Sequence, residues 1–402
     1  MPRRVIEYAL LGLAVVLLLL AVSIHLVMPV AVLALVRLAA AEVTPWLVAL
    51  GLVVAGVAAS RLGAGSVAAP LALGAAALAV VLAAIPLARA PGMIAEADSQ
   101  LRAAFGRDVP VDRPAFSLIT SFLGQRVPAV PVERDMPFDV VGGRLKLDRY
   151  APREPGTARP AIVVVHGGSW RAGDKGETML SNTEWSRSFA ARGFVVYDVQ
   201  YRLAPGVRHP VPMNDVLCAL AYVRSHAGAD GVDPERVVLI GRSAGAHLAL
   251  LAAYRQREAP CGPAARVVGV VELYGPTDLI SGYEIPAVPD LIDGNAALRD
   301  LLGGSPDQVR EAYLDATPQT WVRSAVPTLL LHGAADQIVY PRHADDLSAR
   351  LREGGVPVAY LRYPWSGHGF DMISVGVASQ IALATTERFV AAVLTRGSGE
   401  GR

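Results

Sequence analysis

Lysine is nearly missing from this chain. Lys146 and Lys175 are the only two among 402 residues, and arginine supplies the rest of a Lys+Arg total of 37. Cysteine is as scarce. Cys218 and Cys261 are too few for a disulfide scaffold. Cys218 lies in an apolar helical pattern and reads as core, Cys261 lies in a Pro/Gly loop, and no bridge between them is expected. Net charge is lacking too. Asp+Glu 36 leaves +1, so no overall field attracts phosphate, and no nucleic-acid partner is expected. Charge of either sign is sparse, at 18% of residues, while 52% are hydrophobic. That balance excludes a disordered chain.

The missing charge is missing mainly at the N-terminus. No charged residue occurs between Glu7 and Arg37, between Glu42 and Arg61, or between Arg61 and Arg89. A helix needs about 20 apolar residues to cross about 30 Å of hydrocarbon. The stretches give about three transmembrane helices, at 8–29, 43–60 and 66–88. Trp46 suits an interface, and Pro29 and the Gly-containing Arg61–Ser66 segment suit turns. A cleaved signal peptide has an apolar core of about 7–15 residues. The first run is longer and two more follow, so an integral membrane region is expected over 1–90. Arg3, Arg4 and Arg61 fall on one side, Arg37 and Arg89 on the other. The positive-inside rule then puts everything after residue 90 on the extracytoplasmic side. A transporter is disfavoured, because the spans hold no carboxylate or lysine, only His25.

Residues 91–135 read as a connector with a short helix near Glu96–Phe105. From 136 to 398 the pattern is α/β. Apolar runs at 161–165, 194–199, 236–240, 267–273, 327–331 and 358–362 are strands of the buried parallel type. Helical patterns at 211–228, 244–256, 341–354 and 376–394 alternate with them. Helices therefore cover both faces of a mostly parallel sheet. A stretch at about 277–325, with Tyr283, Leu291, Leu301 and Tyr313, leaves the pattern and reads as a short cap.

Chemistry belongs at the carboxyl ends of such strands. After the run at 236–240 comes Gly241-Arg242-Ser243-Ala244-Gly245, a G-x-S-x-G turn between strand and helix. A serine hydroxyl needs a base to take its proton, and the base needs an orienting acid. His368, between Gly367 and Gly369, follows the last strand. Asp336 follows the strand before it, and a helix cap is its other possible use. Ser243, Asp336 and His368 stand in the chain order this architecture uses. Backbone N–H groups must hold the oxyanion. Gly168 and Ser169 supply them after the first strand, and Ala244 supplies another at a helix start. His166 reads as a pin for that turn, and Trp170 as packing beside it.

The motifs HGGSW at 166–170, YRLAP at 201–205, GRSAGAH at 241–247, LLHGAAD at 330–336 and GHGFD at 367–371 act as a set. On them the chain from about 136 to 395 resembles an alpha/beta-hydrolase of the esterase/lipase superfamily. It is most like the hormone-sensitive-lipase-like and feruloyl-esterase-like (BD-FAE) carboxylesterases. The resemblance implies Ser243 as nucleophile, Asp336 as acid and His368 as base, with an oxyanion hole at Gly168, Ser169 and Ala244. Ser169 stands where many relatives have a third glycine. The membrane region falls outside the resemblance, although membrane-bound prenylcysteine methylesterases have a similar GxSAGAH turn. Asp215 is expected to brace the YRLAP turn. Asp278 is an alternative acid, better read as a loop or helix cap. His332, His343, Asp345 and Asp346 lack a zinc spacing, and no metal or cofactor is expected. The abundance of Arg and Ala over Lys fits a GC-rich bacterial genome. The expected protein is a bacterial membrane-anchored serine carboxylesterase acting on a small-molecule or lipid-like ester of short or medium acyl group. An amidase (such as an arylformamidase), an acyltransferase and a non-catalytic membrane sensor are the alternatives.

Overall fold

The computed structural model describes residues 2–63, 66–110, 112–176, 183–255 and 259–396. Residues 64–65 of the Gly-containing turn, 111 of the connector, and 177–182, 256–258 and 397–398 of the expected hydrolase region lie outside these residues. Four helices come first: α1 (Pro2–Ser23), α2 (Ala31–Glu42), α3 (Thr44–Ala59) and α4 (Ala68–Phe105). The short α5 (Leu118–Leu123) follows.

The packing of the first helices follows from their residues. In α4 the buried Ala72, Ala76, Ala79 and Ala83 recur every three or four positions, which puts them on one face. Small side chains let helix backbones approach. The outer faces carry large apolar residues instead. Val16 and Leu19 of α1, Val53 of α3 and Leu78 and Val81 of α4 are all exposed. A bundle facing water would be polar there. Among the described residues, three helices are long and apolar enough to cross a membrane. Two are α1 and α4; the third is the last helix of the chain, which is almost wholly buried in the protein.

The middle stretch differs from its expectation. α3 has only 16 residues, which rise about 24 Å. It meets the unexpected helix α2 at an 85° bend, and only the two together are long enough to cross. α4 differs as well. It runs unbroken through residue 90, where the membrane region was expected to end, and includes the helix expected near Glu96–Phe105. Pro86 and Pro91 lie inside it without ending it. Gly106 does end it, at φ +67°, with its N–H bonded to the Arg102 carbonyl at 2.8 Å.

The remaining elements are β1 (Val132–Val140), β2 (Gly143–Tyr150), β3 (Arg159–Val165), α6 (Thr183–Ala191), β4 (Val195–Val199), α7 (Val211–Ser225), α8 (Ala227–Asp230), β5 (Val232–Arg242), α9 (Ala244–Arg255) and β6 (Val267–Leu273). Then come α10 (Leu279–Glu284), α11 (Gly294–Leu302), α12 (Arg310–Asp315), β7 (Thr328–Gly333), α13 (Arg342–Glu353), β8 (Val358–Tyr363) and α14 (Val377–Arg396). The strands form one sheet in the order β1-β2-β4-β3-β5-β6-β7-β8. β3 to β8 are the six apolar runs and pair in parallel. β1 and β2 pair antiparallel with each other, and β2 antiparallel with β4.

Alternation along β3 separates two cores. Ile162 and Val164 face Phe189 of α6 and Phe389 of α14, in a cluster that continues into α1, α3 and α4. Ala161, Val163 and Val165 join Leu217 of α7, Leu248 of α9 and Leu347 of α13. The C-terminal half of α4 docks on the first face. The Phe105 ring lies 5.7 Å from that of Phe389, and Asp98 pairs with Arg388 at 2.5 Å.

Cys218 and Cys261 are bonded, which corrects the expectation of two unpaired thiols. The reason is tertiary. The loop after α9 returns to α7, where Ala265 N–H bonds the Leu220 carbonyl at 3.0 Å. This brings the two Cα atoms to 5.2 Å, within the span of a disulfide. Replacing both cysteines by alanine should cost about 2–4 kcal/mol of stability. Denaturant unfolding of the detergent-solubilised chain reads it, and equal stability of the two forms would contradict the bridge.

Candidate active site

The Ser243 turn is built by close backbone contact. A methyl on Gly245 would strike the carbonyl oxygens of Val165 and His166, at the end of β3. A methyl on Gly241 would come within 2.5 Å of the Ala246 Cα. Only glycine fits either place. Between them Ser243 sits at φ +52°, a region that side chains rarely adopt. Two bonds hold it there. Its N–H donates to the Leu273 carbonyl at 2.9 Å, and its carbonyl accepts from His247 N–H at 3.1 Å. The turn therefore lifts the hydroxyl above the sheet.

The three residues picked from the sequence meet here. His368 Nε2 lies 3.0 Å from Ser243 Oγ, and His368 Nδ1 lies 2.8 Å from Asp336 Oδ2. Asp336 Oδ1 accepts the N–H groups of Ile338 and Val339 at 2.8 and 2.9 Å. The aspartate thus closes its own turn while it faces the histidine. His332 Nε2 stands 3.4 Å from Oδ2 and bonds the Val339 carbonyl at 2.9 Å. Burial opposes the Asp336 charge. The nearby His368 and the bond from His332 outweigh it and hold the carboxyl well below its usual range. An ionised Asp336 favours the tautomer that leaves His368 Nε2 free to accept the serine proton.

Gly168, Ser169 and Trp170 have φ of +120°, +53° and +59°. Ser169 thus sits in the left-handed region, which L side chains rarely adopt. The turn is closed by Arg171 and Ala172 N–H, both at 3.0 Å from the Gly168 carbonyl. Neither bond uses the N–H of Gly168 or Ser169. A methyl on the preceding Gly167 would stand 3.3 Å from Ser243 Cβ, so this loop lies against the Ser243 turn. Ala244 opens α9, where its N–H lacks an intrahelical acceptor.

The supporting residues also find their places. His166 is buried, bonds the Gly167 carbonyl at 2.8 Å and stacks on Tyr201 at 4.3 Å. Trp170 Nε1 donates to His247 Nδ1 at 3.1 Å. Asp215 receives Arg202 Nη2 at 2.6 Å and Arg202 N–H at 2.9 Å. Asp278 caps α10, accepting Ser281 N–H at 3.1 Å, and takes no part in the relay. His343 accepts Thr277 N–H at 3.4 Å, and Asp345 accepts Tyr360 Oη at 2.8 Å.

Sequence reasoning missed three neighbours. The Tyr274 ring lies 4.6 Å from the His368 ring, and its hydroxyl bonds Asp371. Arg242 Nε donates to Asp371 at 2.6 Å. Arg242 and Asp371 were visible inside the GRSAGAH and GHGFD motifs. Tyr274 had no signal beyond its place at the end of β6.

His247 Nε2 donates to the Ala316 carbonyl at 2.7 Å, while Nδ1 accepts Trp170. The bond that Nδ1 accepts requires the neutral ring, since a protonated imidazole has no free acceptor nitrogen. Burial lowers its pKa from 6.5 to about 3. The unfolded chain takes up this proton near 6.5 and the folded chain only near 3, so this contribution is full above 6.5 and fades as pH falls. The thermal midpoint should drop from neutral pH toward about pH 4, with a shallower slope in H247Q. Equal slopes would contradict the assignment.

The family model described as BD-FAE matches residues 147–351. Esterase LipC of Mycobacterium tuberculosis is 32% identical over 236 residues, which are 54% of this chain and 55% of the relative. The probable carboxylic ester hydrolase LipM of the same organism is 30% identical over 250 residues, 59% of this chain and 55% of the relative. The chain thus spans about half the length of the curated relatives it matches. A hyperthermophilic esterase from the archeon Pyrobaculum calidifontis shares the fold, at TM-score 0.53 and 20% identity over 78% of this chain and 94% of that one. With the family model covering half of its length, the chain belongs to the BD-FAE family.

Proposed function

We propose that the protein is a membrane-anchored serine carboxylesterase. The observation that carries this reading is the Asp336–His368–Ser243 relay at 2.8 and 3.0 Å. Ser243 Oγ attacks the ester carbonyl carbon while His368 Nε2 takes its proton. The carbonyl oxygen becomes an oxyanion, held by the N–H groups of Gly168, Ser169 and Ala244. Collapse breaks the bond to the alcohol, which leaves with the proton from His368. Water then attacks the acyl-enzyme, gives its proton to His368, and the acid departs as Ser243 regains its hydrogen. The short helices between β6 and β7, with six, nine and six residues, support a small or medium acyl group.

A fluorophosphonate probe should label the full chain, and S243A should abolish the labelling. D336N should lose kcat on the order of 10³–10⁴-fold. p-Nitrophenyl esters from acetate to palmitate should be cleaved fastest at the short end. Labelling that survives S243A would overturn the triad, and fastest cleavage of palmitate would overturn the acyl assignment.

Two observations support the extracytoplasmic side. The Cys218–Cys261 bridge suits an oxidising compartment. Ser66 Oγ bonds Glu7 Oε2 at 2.9 Å, which gathers the ends of α1 and α4, with nearby Arg4 and Arg61, at one end of the bundle. Basic residues favour the cytoplasmic end. A membrane-impermeant fluorophosphonate should label Ser243 in intact cells. A need for permeabilisation would reverse the orientation.

A further inference from the structure

We propose that Arg37, in the membrane-associated segment, is a positioning residue for the catalytic acid and base, so that this segment is a working part of the active site. The inference rests on the hydrolase reading above and concerns what holds the acid and base loops in register.

α2 is built inside out for a helix in water. Val32, Leu33 and Leu35 on its outer side are exposed, while Arg37 and Glu42 are each only 2% exposed. Those two are the only charged residues between Glu7 and Arg61. Both face the loops that carry the relay. Arg37 Nη1 donates to the Ala335 carbonyl at 3.2 Å, one residue before Asp336. Arg37 Nη2 donates to the Trp365 carbonyl at 3.3 Å, three residues before His368, and to Ile24 at the end of α1 at 3.4 Å. One planar guanidinium therefore spans the acid loop, the base loop and the first helix.

Neighbouring contacts act on the same two loops. Ser366 Oγ donates to Glu42 Oε1 at 2.8 Å. Gln337, one residue after Asp336, exchanges bonds with the Met28 backbone at 3.0 and 3.3 Å. Gly367 lies so close under α2 that an added methyl would strike Leu38 and stand 3.2 Å from Arg37 Nη1. Asp336 is thus flanked on both sides, and His368 on its N-terminal side, by residues tied to 28–42. The geometry of the relay depends on how those two loops face each other. A small misplacement of reacting groups costs on the order of 10²-fold in rate.

A lysine keeps the charge of Arg37 but is a point donor that cannot fork between two carbonyls. The test uses the full chain in lipid nanodiscs and p-nitrophenyl acetate, a soluble ester that does not have to enter from lipid. R37K and R37M should lower kcat on the order of 10–100-fold, with KM within about twofold of wild type, and slow fluorophosphonate labelling in parallel. Added ethylguanidinium should restore part of the kcat of R37A. R89M, at an exposed position on α4, serves as a control and should keep the wild-type rate. If R37M does not fold, R37K decides. Folded R37K with wild-type kcat and labelling rate overturns the proposal, even if its melting temperature falls, because a merely structural arginine would behave so. A wild-type chain that neither labels nor cleaves the ester overturns the hydrolase reading instead.

Discussion

The contact of Gly245 with the carbonyls that end β3 is what the rest of the site depends on. It leaves no room for a side chain, so the start of α9 presses directly on the neighbouring strand. The turn above that contact holds Ser243 in a left-handed conformation, at φ +52°. The same contact brings the loop at Gly167 and Gly168 beside the serine. One backbone approach therefore sets the Ser243 turn and the Gly167–Gly168 loop side by side. The parallel pairing of β5, β6, β7 and β8 then brings the acid and base loops to the same edge.

Buried parallel strands read clearly in a sequence because both faces are apolar. β3 through β8 were legible for that reason, and the relay was legible because its residues follow those strands in a known order. β1 and β2 were not. Val132–Val140 carries Glu133, Arg134, Asp135 and Asp139 and is mostly exposed, so its pattern resembles a loop. The cysteine pairing was hidden by a separation of 43 residues, since only the return of a loop to α7 joins them. Hydropathy falls at residue 90, but α4 continues to Phe105, because helical structure does not stop where apolarity does.

Arg37 and Glu42 are the clearest case of a signal read with the wrong meaning. In a hydropathy profile they mark where an apolar run ends. In the fold they are the buried face of α2, and the apolar residues around them point outward. A charge within an apolar region is expensive and calls for a partner. Apart from the Ile24 carbonyl, the hydrogen-bond partners are backbone carbonyls and a serine hydroxyl on the relay loops, more than 290 residues away in sequence. No local pattern could have supplied them.

α4 has one more consequence. Its N-terminal half lies among α1 and α3, and its C-terminal half is fastened to α14 through Phe105 and Asp98. It is a single rod of 38 residues, about 57 Å long. A hydrolase on a flexible leash would sweep a wide volume around its anchor. Here one continuous helix joins the apolar N-terminal bundle to the sheet domain, so the orientation of one fixes the orientation of the other.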